Sequence, residues 1–294
     1  MTQERVAYQA ITDRPRLIWP GGARVAVWVV PNVEHYEYLP PKGQPRDPWP
    51  RTPHPDVLGY GLRDYGKRVG LWRMAEVTDA LGIPLTLSLN MAVWLHYPEI
   101  FEAGMARGWD VMAHGLYNTR YHWNMGEAEE RDAIGECVDI YRRMTGGQLR
   151  GWFSPAATLT ERTPDLVAEA GIDYYCDWYH DDQPTEMRVR SGRLITLPYQ
   201  MDINDAMVWR HHFEADDFAQ MIIDHFDTLW REGADQPHVV CIALHPYISI
   251  SGQPHRIRAL ERALSHIVGH DGVWLATGAQ IADCYLSQRP EATA

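Results

Sequence analysis

The sequence predicts one α/β domain, built as a closed barrel of parallel strands. Short apolar runs rich in Val, Ile, Leu and Trp alternate with longer segments of helical period, the pattern of a parallel sheet covered by helices. Roughly seven or eight such units fit into the chain, which suits a barrel better than an open sheet. No G-x-G-x-x-G follows a strand, so a dinucleotide-binding fold is not indicated.

Eight apolar runs are the predicted strands. They cover residues 25–30, 84–89, 109–113, 151–153, 172–176, 194–199, 239–244 and 273–277. The clearest helix covers residues 126–145, because its apolar side chains share one face and a Gly-Gly stop signal follows. Further helices are predicted over residues 69–81, 164–170, 215–230 and 254–268.

We expect residues 1–294 to form one catalytic domain. Its most irregular part is the segment 39–55 (LPPKGQPRDPWPRTPHP), in which seven prolines rule out regular structure. A loop of this length directly after the first strand is typical of a lid or a binding wall.

The charge and composition restrict the partners. A net charge of -12 disfavours nucleic acid and anionic membranes, so a small molecule is the expected partner. The first residues lack the pattern of a signal peptide, and no run approaches the ~18 apolar residues of a membrane span, so we expect a cytoplasmic protein. The four cysteines lie far apart without a C-x-x-C, as reduced thiols do.

Polar residues collect directly after the predicted strands, at the end of a parallel barrel where catalytic side chains lie. A carboxylate, imidazoles and an acidic pair on one rim are what water activation and leaving-group protonation require. The residues concerned are Glu34, His114, His245, Asp181 and Asp182.

These residue types suggest a mechanism. Glu34 takes a proton from the attacking water, His114 binds the substrate carbonyl or a metal that polarises it, and His245 protonates the departing nitrogen. No serine or cysteine stands in a G-x-S-x-G context, which disfavours a covalent intermediate.

At the same strand ends the sequence resembles the polysaccharide deacetylase (NodB-homology) superfamily. The similarity is to the branch that holds cofactor-independent allantoinases, cyclic imide hydrolases and peptidoglycan-deacetylase-like proteins. The matching segments are 32–35 (NVEH), 64–70 (DYGKRVG), 108–115 (GWDVMAHG), 152–155 (WFSP) with 163–166 (TPDL), and 244–247 (LHPY) with 251–256 (SGQPHR).

The resemblance implies a distorted (β/α)7-type barrel that hydrolyses a non-peptide C–N bond of a small amide, cyclic imide or ureide, often as a homo-oligomer. The chain departs from the family's metal motifs, because Asn118 replaces the second histidine and only Glu34-His35 stands in place of the acidic pair. Either the metal is lost, or a rearranged set of His35, His114 and His122 holds a divalent ion such as zinc.

Substrate contacts are predicted for Arg68, Asn118, Asp181, Asp182 and Tyr247. For Arg68 a structural ion pair with Asp64 or Glu76 is an equal alternative. Asp181 and Asp182 either orient His180 or bind substrate ring nitrogens.

Three points stay open in the sequence. One alternative function is a metal-dependent deacetylase of an N-acetylated sugar or amine, and another is a non-catalytic barrel that binds a small molecule. The adjacent His211 and His212 could also bind a metal, but neighbouring residues on a strand face opposite sides, so their role stays open.

Overall fold

A computed structural model describes residues 5–40, 55–206, 213–247 and 252–289. Within these ranges the chain forms a nine-stranded curled sheet in the order β6-β7-β5-β4-β3-β2-β1-β8, with β9 also paired to β1. The pairs are parallel except for β6 with β7. The strands are β1 (Val25–Val33), β2 (Thr86–Leu89), β3 (Asp110–Ala113), β4 (Gly151–Trp152), β5 (Tyr174–Tyr175), β6 (Thr185–Met187), β7 (Leu194–Thr196), β8 (His238–Leu244) and β9 (Val273–Leu275).

Helices follow most of the strands and cover the outside of the sheet. A π-helical turn, Gly66–Gly70, joins the first two into one continuous rod. The helices are α1 (Val57–Tyr65), α2 (Leu71–Ala80), α3 (Ala92–His96), α4 (Pro98–Arg107), α5 (Glu127–Thr145), α6 (Thr163–Glu169), α7 (Ala215–Glu232), α8 (Ile257–Val268) and α9 (Gly278–Ser287).

Strand β1 is buried along its whole length and divides the apolar core into two parts. Val27 belongs to the part that packs beneath the outer helices, whereas Trp28 belongs to the part that fills the barrel with residues such as Tyr174 and Cys241. Alternate side chains of one strand therefore enter different layers, which explains why the run VAVWVV shows no polar face.

The barrel seam between β7 and β8 is closed by a segment that is not itself a strand. The Gln200 side chain donates from Nε2 to the Val239 carbonyl (2.8 Å), and its Oε1 accepts from the Cys241 amide (2.7 Å). Four residues beyond Met201, the Asp205 amide donates to the Ala243 carbonyl (3.0 Å). The chain after β7 thus runs along β8 and carries Asp205 to the rim.

The predicted distorted barrel is confirmed. Each predicted strand and helix is found with shifted ends, while α1, α3, α4, α9 and the antiparallel β6 were not predicted. Residues 41–54 of the Pro-rich segment, together with His211 and His212, lie outside the described residues. The single-domain organisation stays a prediction. None of the described helices has both the length and the apolar content needed to span a membrane.

Close backbone packing holds Pro246, just after β8, against the π-helical turn. A Cβ added to Gly70 would lie 1.7 Å from the Pro246 carbonyl oxygen, so no side chain fits there. Gly70→Ala is expected to lower the free energy of unfolding by at least about 3 kcal/mol, because backbone has to move on both sides.

Urea denaturation measures this effect. The matched control is Gly61→Ala in α1, where an added Cβ meets nothing within 4 Å. That variant is expected to be neutral or to gain up to about 1 kcal/mol from helix propensity. Equal urea midpoints for the two variants would show that a side chain can be accommodated at position 70.

Candidate active site

Four polar side chains surround the carboxylate of Glu34 at the carboxyl end of the strands, and Glu34 is only 5% exposed. Its Oε1 faces the Nε2 atoms of His114 at 3.9 Å and of His245 at 3.6 Å. Its Oε2 accepts a hydrogen bond from the Tyr247 hydroxyl (2.5 Å) and lies 3.5 Å from Arg63 Nε. The structure therefore brings the three residues predicted to be catalytic into one cluster.

The Glu34 carboxylate is ionised in this setting. Burial alone would raise its pKa, but the hydrogen bond and charge of His245, together with the charges of Arg63 and His114, lower the pKa to about 2. The Arg63 guanidinium is held between the rings of Tyr36 (3.7 Å) and Tyr247 (4.4 Å). A fixed cation thus stands beside the carboxylate.

His245 is held as an imidazolium by a second carboxylate. Its Nδ1 lies 2.7 Å from Asp205 Oδ1, and its backbone amide donates to Asp205 Oδ2 (2.9 Å). Burial alone would lower the His245 pKa, but the bonds and charges of Asp205 and Glu34 raise it to about 9. The Nε2–H of His245 therefore points at the cluster as a proton donor.

His114 has the opposite character. Its Nδ1 lies 2.9 Å from the Phe153 carbonyl, which can only accept, so Nδ1 carries the proton. Burial lowers the pKa of His114 to about 4, which leaves Nε2 with a lone pair at neutral pH. His114 Nε2 has no proton to donate to a substrate carbonyl, but its lone pair can accept a proton from water or bind a metal. The predicted role of His114, binding the carbonyl or a metal that polarises it, stays a prediction.

The predicted metal set of His35, His114 and His122 is not assembled. The His35 ring packs near His96 (4.8 Å between ring centroids) and Tyr117 (5.6 Å). The His122 Nδ1 faces Glu130 Oε1 at 3.4 Å. Neither this set nor the Glu34, His114 and His245 cluster brings its ligand atoms within 4.8 Å of one another.

His35 is separated from the cluster because successive side chains on an extended backbone point to opposite sides. The Glu34 side chain enters the cluster, and the His35 side chain enters a different pocket. That pocket has a volume of about 430 Å³ and a largely aromatic lining. Burial, and then the charges of Lys67 and His96, lower the pKa of His35 to about 3. His35 is therefore a neutral side chain of the pocket wall.

Asn118, at the position of the family's second metal histidine, is engaged within the protein. Its Oδ1 accepts from the Ala156 amide (3.0 Å), and its Nδ2 donates to the Tyr36 hydroxyl (3.4 Å). Ala156 has a φ of 51°, so the amide bond secures a strained turn. The donor set here does not fit a metal, and a substrate contact from Asn118 stays a prediction.

The other predicted substrate contacts differ in their positions. Arg68 Nε pairs with Asp64 Oδ2 (2.5 Å) at the exposed mouth of the His35 pocket, which agrees with its structural alternative. Tyr247 contacts Glu34 directly. Substrate binding by either residue stays a prediction.

The predicted rim position of Asp181 and Asp182 is wrong. Asp181 accepts from two nitrogens of Arg14 (2.7 and 2.6 Å), and the Asp182 carbonyl accepts from the Val239 amide. Val239 lies near the start of β8, about 20 Å along the strand from His245. Here the chain passes the amino-terminal end of β8, so these carboxylates cannot reach a substrate at Glu34.

Sequence reasoning missed Arg63, Tyr36 and Asp205. Arg63 directly precedes the 64–70 motif, so its neighbourhood was visible. Asp205 gave no comparable signal, because it follows β7 only after the seam segment and not at the strand end.

Comparisons with known proteins agree with this architecture, although no family model matches the chain. A Schizosaccharomyces pombe protein named provisionally as a polysaccharide deacetylase is 27% identical over 92% of this chain and 93% of its own. A Pseudomonas aeruginosa structure, also provisionally named a polysaccharide deacetylase, is 29% identical with a TM-score of 0.84, covering 95% of this chain and 97% of its own. The structure of Puue allantoinase is 28% identical with a TM-score of 0.83, covering 96% of both chains.

The resemblance to the polysaccharide deacetylase (NodB-homology) superfamily, including its allantoinase-like branch, is confirmed. The chain is a hydrolase of non-peptide C–N bonds, as the sequence predicted. The two solved structures have almost the same identity to this chain, yet one is named a deacetylase and the other an allantoinase. Similarity to this superfamily therefore does not select the substrate.

Proposed function

We propose that the chain opens a small cyclic imide or ureide by direct attack of water, with Glu34 as the general base and His245 as the general acid. The arrangement that carries the proposal is the pair of imidazoles of opposite character around Glu34 Oε1. One offers a lone pair and the other a proton, which are the two functions that hydrolysis of an amide requires.

The water is positioned by two acceptors. Glu34 Oε1 and His114 Nε2 lie 3.9 Å apart, too far for a hydrogen bond to each other. A water that donates to both presents its oxygen lone pair to the substrate carbonyl. Because a carboxylate with a pKa of about 2 is a weak base, proton transfer to Glu34 accompanies the attack rather than preceding it.

His245 then completes the cleavage. Its Nε2 proton passes to the ring nitrogen as the C–N bond breaks, while Asp205 holds Nδ1 and fixes the orientation of the ring. Glu34 now holds the proton taken from water, and His245, at 3.6 Å, is neutral. Return of that proton to His245 restores both charges, so one water is consumed and one C–N bond is cleaved.

The Arg63 guanidinium supplies a fixed positive charge near the reacting carbonyl. Since Tyr36 and Tyr247 confine it on both faces, it needs little reorganisation when negative charge develops on the carbonyl oxygen. No step in this scheme uses a metal, in keeping with the engaged Asn118 side chain. A small molecule as the sole partner, a homo-oligomeric state and a cytoplasmic location are retained as proposals.

The test uses full-length, chelator-treated protein without a tag. It is incubated with succinimide, hydantoin and allantoin, and separately with N-acetylglucosamine oligomers, and products are followed by NMR. A ring-opened product without added metal is expected from at least one of the first three. Glu34→Gln serves as the control for contaminating activity.

Two results would overturn the proposal. Release of acetate that depends on added zinc would favour a metal-dependent deacetylase instead. Saturable binding of the cyclic compounds without turnover in either metal condition would favour the non-catalytic alternative.

A further inference from the structure

A second cluster of metal-binding residue types lies on the outside of the barrel. Asp227 belongs to α7, His266 belongs to α8, and His270 follows the end of α8. One potential ligand atom of each lies within 4.8 Å of the others, and no other group of three in the described ranges meets this condition. Asp227 and His266 come from two helices that pack against each other, and His270 lies directly beyond the end of the second.

The orientation of both histidines suits a metal ion. His270 Nδ1 lies 2.8 Å from the His266 carbonyl, so Nδ1 is the donor and Nε2 keeps its lone pair. A bond from the other ring nitrogen to a backbone carbonyl is the arrangement that orients metal-binding histidines. His266 Nε2 lies 2.7 Å from Asp227 Oδ1, so an imidazole nitrogen and a carboxylate oxygen already face each other, and a bound ion would replace this hydrogen bond.

Aromatic rings fix the cluster on its inner side. The buried Phe226 ring contacts His266 and His270 at centroid distances of 5.9 and 5.1 Å, and Trp230 contacts His270 at 5.4 Å. Restricted rings lose less conformational entropy when they bind a ligand than free side chains do. The outer side is partly open, since the Asp227 side chain is 48% exposed.

We propose that Asp227, His266 and His270 form a binding site for one divalent transition-metal ion, such as zinc, that joins α7 to α8. Two imidazoles and a carboxylate are ligands of borderline softness that suit zinc, with water in the fourth position. None of these three residues takes part in the proposed reaction.

The position of the site indicates a structural role, not a catalytic one. Helix α7 leads into the start of β8, and α8 leads into the start of β9, so their final turns lie at the amino-terminal side of the sheet. Glu34 and His245 follow the carboxyl ends of β1 and β8, on the opposite side. An ion at this site stabilises the outer helices without contacting the substrate.

The experiment measures zinc binding by calorimetry with full-length, tag-free, chelator-treated protein. The wild type is expected to bind one ion per chain, while His270→Ala and Asp227→Asn weaken this binding by about 10- to 100-fold or more. His180→Ala, which removes an exposed histidine elsewhere, is the matched control and keeps the wild-type affinity. Zinc should also raise the melting temperature of the wild type but not of His270→Ala.

Two outcomes would overturn the site. Absence of saturable zinc binding up to millimolar concentration would do so, as would binding that survives in both His270→Ala and Asp227→Asn but disappears in Glu34→Gln. Two ligand variants protect the test against misfolding of one of them, which circular dichroism monitors. The site is independent of the proposed reaction, so His270→Ala should hydrolyse substrate at the wild-type rate.

Discussion

Replacing Glu34 by Gln is expected to lower kcat/KM by about 10²- to 10⁴-fold, the usual contribution of a general base. The amide keeps the size of the side chain and an oxygen that can accept from Tyr247, but it cannot take a proton from water. It also removes the negative charge that His114 and His245 face. Steady-state kinetics on the substrate found in the screen give the number.

Glu37→Gln is the matched control for this change. Glu37 lies three residues further along the chain and accepts hydrogen bonds from Thr119 Oγ1 (2.6 Å) and Arg120 (2.9 Å), outside the catalytic cluster. Its kcat/KM is expected to stay close to the wild-type value. Should Glu34→Gln retain full activity with an unchanged circular dichroism spectrum, another group must be the base.

Replacing Asp205 by Asn is expected to move the alkaline limb of the pH profile to lower pH. His245 acts as an acid, so activity is present below its pKa and is lost as the pH rises through about 9. Without the Asp205 charge, burial lowers the His245 pKa, and the loss begins at a lower pH. At pH 8 we expect kcat/KM to fall by about 10²-fold or more.

The acid limb provides an internal reference for that experiment. Proton acceptance by His114 is lost as the pH falls through about 4, and this limb should move much less than the alkaline limb in Asp205→Asn, because burial is the largest cause of the lowered His114 pKa. Asp202→Asn is the matched control, since Asp202 is an exposed carboxylate in the same segment. A wild-type alkaline limb in Asp205→Asn would remove His245 from the role of acid.

The fold was predictable because its main determinant is local. Apolar runs such as VAVWVV have to be strands that are buried on both faces, and the 126–145 pattern specifies its helix and its Gly stop without tertiary information. The elements that were missed carry weaker signals. Helix α1 contains glycines that lower helix propensity, and α3 is too short to show a period.

The sequence could predict those site residues that directly follow a strand. Glu34, His114 and His245 directly follow parallel strands, so their meeting at one rim follows from the fold. Asp205 could not be found in this way, since its position depends on the seam along β8. The rim position predicted for Asp181 was wrong for a related reason. After β5 the chain turns to the amino-terminal end of β8, away from the rim.

The seam itself has a mechanical consequence. Along most of the sheet a continuous ladder of main-chain bonds joins neighbouring strands, and such a ladder opens cooperatively. Between β7 and β8 the Gln200 side chain replaces part of that ladder, and one rotamer change is enough to release both of its bonds. The seam is therefore a place where side-chain bonds stand in for main-chain bonds, and an opening that also broke the Asp205 amide bond to Ala243 would take the Asp205 carboxylate away from His245.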